Sequence, residues 1–575
     1  MKLKSHLLYL YIALGLFEIG CNPVANKELS EILISKNYLV FPVDNSAKPS
    51  SIVMLHKGDS VSRLNVGLSE GKPDFYSWMN VSRFKGEKLH ISIDSMAYGL
   101  DENLRLFQSD TIPGKYYAEQ YRPQFHYSPK VGWVNDPNGM FFYNGTYHMF
   151  YQYNPYGQSW DNMHWGYATS HDLVHWQEHD PLIAPNSYGS AYSGSAVVDF
   201  KNTSGLQTGE DPPLLLFYTA AGAHAITPKT GASQHLVYSI DGGQNWISYQ
   251  KNPIIPKFSE HQDRDPKVVW YEKGQCWIMM LFIGEQTFRI LKSENAIDWE
   301  PLSDMKVASH NECPDLFQLS VENNPQEKKW VFISGAGKFW ELDNAKYVVG
   351  TFDGKKFIKE QESLQMDSGI GNYSTQTFSN APDNRRIFMG WFTRQFDSKG
   401  YTNMPSNAQF RVPWELKLFK TENGYSLHRY PVKEIDTLRG ALLQKIDIWL
   451  KKGEYDAYDI SRKSLDIELH MTFTEATNFT MTLADFELTY EGTTSEITAF
   501  GKTIRLRTEN DHMKFRMLLD QNSLELFLNE GETAITGLIN EEYLEGDTFK
   551  ITCNEGELYI KDLKIYDMQS IWNTK

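Results

Sequence analysis

The feature that most constrains this chain is a turn that comes back. Ser170-His-Asp-Leu-Val-His-Trp176 is echoed by Ser239-Ile-Asp-Gly-Gly-Gln-Asn-Trp246 and by Ser293-Glu-Asn-Ala-Ile-Asp-Trp299. A looser copy is Thr351-Phe-Asp-Gly-Lys-Lys-Phe357. The first residues of successive copies lie 69, 54 and 58 apart. Each copy is a polar turn that closes on a core-type aromatic. A small sheet repeated at such a period cannot bury its face alone, so copies must stack, as the blades of a β-propeller do. The copies, with a strand-rich stretch up to about residue 436, predict five blades.

The rest of the chain agrees with an all-β fold. Sustained 3.6-residue periodicity is almost absent, and short runs of Val, Ile, Tyr, Phe and Trp alternate with Gly, Asn, Asp and Pro clusters. Met140–Tyr143 and Tyr147–Tyr153 flank Asn144-Gly145, which reads as a hairpin turn. Residues 30–115 read as a separate β-rich accessory domain before a propeller at 116–436. Residues 440–570 read as strands without helices, a C-terminal β-sandwich.

Composition narrows the function. The chain of 575 residues carries a net charge of −16. An acidic balance excludes a nucleic-acid partner, because phosphates need clustered Lys and Arg. Aromatics are abundant, with 15 Trp, 32 Tyr and 32 Phe. Sugar faces stack on such rings, but β-rich cores use them too. The N-terminus carries Lys2 and Lys4, an apolar run over 7–17 and then Ile19-Gly20-Cys21. The run is too short to span a bilayer and reads as a secretory signal over 1–21. Its end resembles a lipoprotein processing site with Cys21 as the lipidated residue, apart from Glu18 where Leu is usual. The expectation is secretion across the inner membrane and anchoring to the cell envelope, periplasmic or at the surface, with membrane contact only through that lipid. Cys276, Cys313 and Cys553 remain, and no Cys/His spacing suits zinc. His171 and His175 fall in the repeat turn, so they read as structural.

Ligands of propellers bind at the mouth of the central channel, lined by the first strand of each blade. The informative acids are therefore those upstream of each repeat turn. Asp136 lies 34 residues before Ser170, Asp265 lies 29 before Glu294, and Glu312 lies 39 before Thr351. The offsets are similar, so three acids from three blades can converge on the axis. A single acid of this kind is most often a turn cap. Two carboxylates facing a scissile bond, one ionised and one protonated, are the minimum for glycoside hydrolysis, and a third can hold hydroxyls.

The motifs around these acids resemble those of glycoside hydrolase family 32, the invertases, inulinases, levanases and related fructan hydrolases. The matching runs are Arg122-Pro-Gln-Phe-His126, Trp133-Val-Asn-Asp-Pro-Asn-Gly139, Tyr151-Gln-Tyr-Asn-Pro155, Trp160 with Met163-His-Trp-Gly166, Tyr192-Ser-Gly-Ser195, Arg264-Asp-Pro266 and Glu312-Cys-Pro-Asp-Leu-Phe317. Leu519–Gly531 is similar to the family's sandwich, so the resemblance covers roughly 116–570. It implies a five-bladed propeller plus sandwich. It implies Asp136 as nucleophile on the fructosyl C2, Glu312 as general acid and then base, and Asp265 as holder of the 3- and 4-hydroxyls with Arg264 beside it. Retention through a fructosyl-enzyme puts the two catalytic carboxyls about 5–5.5 Å apart. Asn135, Gln152, Trp160, Ser195 and Trp391 are the expected pocket walls, with Trp160 packing on the sugar. Cys313 is expected to tune Glu312 as a neutral thiol or to fill space. The chemistry needs no cofactor and no metal.

Two runs depart from the family. Asp367-Ser-Gly-Ile-Gly-Asn372-Tyr-Ser has Asn where Asp is common, and Val412-Pro-Trp414-Glu415-Leu stands where Pro-Arg-Glu-Leu is common. Both are expected at the rim of the pocket, where they bear on leaving-group preference. The resulting expectation is a β-fructosidase acting on fructan: levan, inulin or sucrose. Its rivals are a fructosyltransferase on the same fold and a non-catalytic fructan-binding surface lipoprotein.

Overall fold

The computed structural model describes residues 30–94, 106–222, 231–257, 263–337, 343–392, 400–460, 463–506, 512–543 and 545–572. Among them strands carry the architecture, and helix occurs only as short 3-10 turns. The signal segment and Cys21 lie outside the described residues.

From Gly132 onward the chain lays down antiparallel sheets in sequence order. The first runs Gly132–Tyr143, Thr146–Asn154, His164–Ser170, Gln177–Ile183. The second runs Ser190–Val198, Leu214–Ala221, Ser233–Ser239, Ile247–Ser248, and the third Arg264–Tyr271, Cys276–Phe282, Thr287–Ser293, Glu300–Lys306. A fourth group, Asp315–Val321, Asn324–Ala336, Asp343–Phe352 and Phe357–Lys359, joins Trp414–Thr421 of the next group through the parallel bridge Val321↔Leu418. The sequence suggests separate blades there. Hydrogen bonding instead makes one ten-stranded sheet of these last strands. The first strands of the groups pack on one another, and Asn372–Thr377 packs back on Gly132–Tyr143.

The repeated turn has one structural meaning. Every copy joins the third strand of a group to its fourth. Asp172, Asp241, Asn295 and Asp353 each accept backbone N–H groups of the turn. This is the side-chain mimicry of a turn for which Asp and Asn are favoured. Trp176, Trp246 and Trp299 donate their indole N–H to the carbonyls of Leu173, Gly243 and Ala296, each three residues back. The Asn144-Gly145 hairpin also forms, with φ of 46° and 76° at its two central residues, as a type I′ turn needs. His171 and His175 sit in the first repeat turn, His175 against Asp172 at 2.8 Å, and among the described residues no cluster of metal-binding side chains occurs.

Two six-stranded sheets follow. One pairs Arg439–Lys451, Glu557–Met568, Leu465–Phe473, His512–Asp520, Ser523–Leu528 and Thr533–Leu538. The other pairs Tyr455–Asp459, Thr548–Glu555, Asn478–Leu483, Phe486–Glu491, Glu496–Ala499 and Lys502–Arg505. Alternate residues of Leu465–Phe473 and Asn478–Leu483 face a shared core, as period-two strands must. Before the propeller, Ser30–Leu33, Lys88–Asp94, Ser50–His56 and Asp59–Val66 form a four-stranded sheet. Phe75–Asn80, Tyr38–Val43 and Phe107–Ser109 form a three-stranded one. Their joint core takes in Val131 and Tyr156 from beyond residue 115.

Candidate active site

The first strands of these groups are interrupted at the same depth. Register shifts fall between Val134 and Pro137, Tyr192 and Gly194, Arg264 and Lys267, and Tyr373 and Thr375. A bulge leaves a residue unpaired and re-aims its side chain, and bulges cluster beside active sites. The residues so released are Asp136, Ser193, Asp265 and Ser374. Glu312 and Cys313 come just before Asp315–Val321. Asp265, Cys313 and Ser374 hold φ of 62°, 57° and 45°. Asp265 and Cys313 each precede a proline, which ordinarily favours extended backbone. Left-handed backbone at non-glycine residues costs of order 1–3 kcal/mol each and persists where the surroundings impose it.

The three acids meet. The Asp136 carboxylate accepts from Ser193 Oγ (2.5 Å) and from Asn135 Nδ2 (2.9 Å). Asp265 accepts from the Cys313 backbone N–H (3.0 Å), and its own N–H donates to Thr219 Oγ1 (3.1 Å). The Cys313 sulfur lies 3.4 Å from Asp136 Oδ2 and 3.6 Å from Asp265 Oδ2, and Ser374 Oγ donates to it at 3.0 Å. Glu312 is held at both oxygens. Tyr373 Oη donates to Oε1 (2.8 Å), and Arg264 donates to Oε2 through Nε (3.0 Å) and a terminal nitrogen (2.6 Å).

Burial dominates the electrostatics. It raises Asp136, the charge of Glu312 raises it further, and the Ser193 and Asn135 hydrogen bonds oppose the rise. Burial also raises Asp265, to about 7; Arg264 works against this, while Glu312 and Asp136 add to it. Burial pushes the Cys313 thiol well up, with the carboxylates adding, so it is neutral. The structure therefore sets the thiol against Asp136 and Asp265, where the sequence suggested a contact with Glu312. Arg264 likewise bonds Glu312, and its Nε stays 3.9 Å from Asp265.

The expected walls divide into two sets. Asn135 reaches Asp136 and accepts from Trp133 Nε1 (3.1 Å). Trp160 is 39% exposed and packs edge-on against Tyr192, ring centroids 5.9 Å apart. The other three are buried and held by neighbouring strands. Trp391 is buried against Trp133, ring centroids 5.5 Å apart. Gln152 is buried and gives its amide to the Ala191 carbonyl (2.8 Å). Ser195 donates to the Pro266 carbonyl (2.7 Å) and accepts from Val268 N–H (2.9 Å), bracing two strands. Ser193 takes the position at Asp136. In a regular strand residues 193 and 195 share a face, and the bulge separates them. Tyr373 and Ser374 were also missed. Their signal lies in the departing run that ends Asn372-Tyr-Ser.

That run and the second departure also make contacts outside the acid cluster. Asp367 is buried and accepts from Gly369 N–H (2.8 Å), Thr536 N–H (3.1 Å) and Thr536 Oγ1. Trp414 donates to Glu525 (2.7 Å). Asp367 and Trp414 thus bond the C-terminal sheets, while Tyr373 and Ser374 at the end of the first run reach Glu312 and Cys313.

Residues 126–431 match the model of the glycosyl hydrolases family 32 N-terminal domain, and 434–567 match that of the family 32 C-terminal domain. A levanase of Bacillus subtilis is 34% identical over 505 residues, covering 81% of this chain and 73% of the levanase. An extracellular exo-inulinase of Aspergillus niger is 29% identical, covering 74% and 90%. The crystal structure of an exo-inulinase from Aspergillus awamori superposes with a TM-score of 0.71 at 26% identity, over 79% of this chain and all of that one. Successive antiparallel sheets that bring three acids together, two of them borne on bulges, followed by a pair of six-stranded sheets, thus coincide with two family models end to end: the chain belongs to glycoside hydrolase family 32.

Proposed function

We propose that this family 32 enzyme hydrolyses β-fructosidic bonds of fructans of the levan or inulin type, and of sucrose, with retention of configuration. The observation that carries this reading is the convergence of Asp136 and Asp265 on one neutral thiol, with the charge of Glu312 acting on both. Asp136 attacks C2 of the fructosyl unit while Glu312 gives its proton to the leaving oxygen, so the C2–O bond breaks as the ester to Asp136 forms. Water then attacks C2, Glu312 takes its proton, and Asp136 leaves as the carboxylate. Ser193 and Asn135 orient the nucleophile for both steps. Tyr373 and Arg264 orient the acid, and Asp265 holds the sugar hydroxyls as positive charge grows on the ring. We read the sheets from Gly132 to Pro431 as five blades around the site, residues 30–115 as an accessory unit, and Cys21 as a lipid anchor after export. Relatives named as extracellular support the export.

The test compares the protein with its Asp136→Ala variant on levan, inulin and sucrose, with products separated by chromatography. The expected result is fructose or a ladder of fructo-oligosaccharides from the wild type and a loss of about 10⁴-fold or more in the variant. Products longer than the substrate would establish transfer to a sugar acceptor. Equal rates in both proteins would remove the nucleophile assignment, and binding without turnover in both would leave only surface capture.

A further inference from the structure

The accessory unit and the pocket share one loop. After Thr146–Asn154 the chain runs through residues 155–163 before His164–Ser170, and Trp160 stands in the middle of it. This loop is fastened to the accessory unit on both sides of Trp160. Before it, Tyr156 is buried in the core of residues 30–115, edge-on to Phe41 with centroids 5.3 Å apart. Gln158 N–H donates to Asn45 Oδ1 (3.3 Å). After it, Asn162 makes a reciprocal pair with the backbone of Asn65. Asn65 N–H donates to Asn162 Oδ1 (2.7 Å), and Asn162 Nδ2 donates to Asn65 O (2.7 Å). Asn65 Nδ2 also donates to Asp161 Oδ2 (3.1 Å). Asn162 is buried and holds a φ of 44°.

Trp160 itself packs edge-on against Tyr192. Tyr192 adjoins Ser193, the donor to Asp136. A large apolar ring presented to solvent beside a polar site gains by covering an apolar sugar face. It must be held still to do so, because freezing a loop on binding reduces affinity. The loop lies between two bodies that fix it before substrate arrives.

We infer that residues 30–115 act as a brace that positions Trp160 for fructan, with Asn162 as the positioning residue and the Asn65 backbone as its partner. The substrate class rests on the function proposed above. Asn135, Ser193, Arg264, Cys313 and Tyr373, which bond the three acids, all come from beyond residue 115, so among the described residues the brace acts at one remove from them. Its loss therefore weakens binding of the sugar chain and leaves the chemical step nearly unchanged.

The test is a double-mutant cycle on Asn162→Ala and Trp160→Ala, with steady-state kinetics on a fructo-oligosaccharide. Each single variant is expected to raise KM by about 5- to 20-fold with kcat within about 2-fold. The double variant is expected to match Trp160→Ala, because Asn162 acts through that ring. Asn162→Asp, which keeps the acceptor for Asn65 N–H, is expected to recover part of the loss. Effects that multiply in the double variant, or a fall in kcat with KM unchanged, would overturn the inference. Asp161→Ala, which removes the bonds from Asn65 Nδ2 and from Asn162 N–H but keeps the Asn162–Asn65 backbone pair, supplies the same reading in milder form should Asn162→Ala not fold. Hydrogen exchange of residues 155–163 gives a readout free of activity. Asn162→Ala is expected to speed it, and unchanged exchange refutes the brace even in a protein that cleaves no fructan. A protein that cleaves none yet shows the faster exchange would refute the proposed substrate and keep the brace.

Discussion

Asp265 shows what the site demands of single residues. Its carboxyl is buried, lies across the Cys313 sulfur from Asp136, feels the charge of Glu312, and titrates at about 7 against an ordinary 3.8. The folded protein thus holds a proton there that the unfolded chain has released. Stability from this group is present below about pH 4 and is lost as pH rises to 7. Asp265→Asn removes that loss. The variant is expected to gain on the order of 1–3 kcal/mol over wild type at pH 8 and almost nothing at pH 4. Thermal unfolding of both proteins across that range checks it, and a gain that shrinks toward pH 8 contradicts it. The kinetics move the other way. The step needs one proton on the acids, so kcat/KM should fall as pH rises through about 7. The Asp265→Asn variant has no carboxyl to titrate there, so its kcat/KM should be flatter through pH 7. Its rate at the optimum should fall by about 10²-fold or more, because a transition-state contact is gone.

At the level of the strand, the bulges decide which residues meet substrate. The repeat turns were readable because Ser, Asp and Trp at fixed offsets impose one local geometry wherever they occur. The three acids were readable because position relative to those turns gives depth along the first strand of each group. Which serine of Tyr192-Ser-Gly-Ser195 faces the pocket was not readable. Alternation puts both on one face, and only the paired register shows the shift after Tyr192. For Trp391 and Gln152, residue type announces a ring or an amide but not how deeply the neighbouring strands bury it. Gly194 makes the bulge possible. A Cβ there would lie 1.9 Å from the Phe217 carbonyl oxygen, a backbone atom that cannot step aside. Gly194→Ala is expected to cost about 1–3 kcal/mol. It should lower kcat at least tenfold, because Ser193 moves off Asp136. Gly209→Ala, whose Cβ meets nothing within 4 Å, is the control and should match wild type in melting and turnover. Full activity in Gly194→Ala would show that the bulge does not place the nucleophile.

Across the whole molecule, propeller and sandwich are joined by buried charge. His126 lies between Asp520 (2.8 Å) and Glu525 (2.9 Å), with all three side chains buried. Asp520 also accepts from the N–H groups of Gln124 and Phe125, and Glu525 accepts from Val412 N–H and Trp414 Nε1. Each carboxylate of the sandwich thus collects donors from the propeller. Burial works against a charged imidazole here, but the hydrogen bonds and charges of the two acids outweigh it and raise His126 to about 9. A raised histidine stabilises while it is protonated. Its contribution is therefore complete below about pH 6.5 and disappears as pH climbs through 9. The melting temperature of the wild type should fall between pH 7 and pH 9.5. His126→Gln should lose about 3–5 kcal/mol at pH 6, because two carboxylates are left buried beside a neutral side chain. Its melting curve should then be flatter than that of the wild type over the alkaline range, since the titrating group is gone. Parallel curves for the two proteins from pH 6 to 9.5 would mean that another group governs the joint. The three active-site acids come from propeller strands, so the joint can loosen without displacing them. Initial rates at pH 8 and 25 °C should accordingly hold within about 3-fold in His126→Gln, while its half-life at elevated temperature shortens.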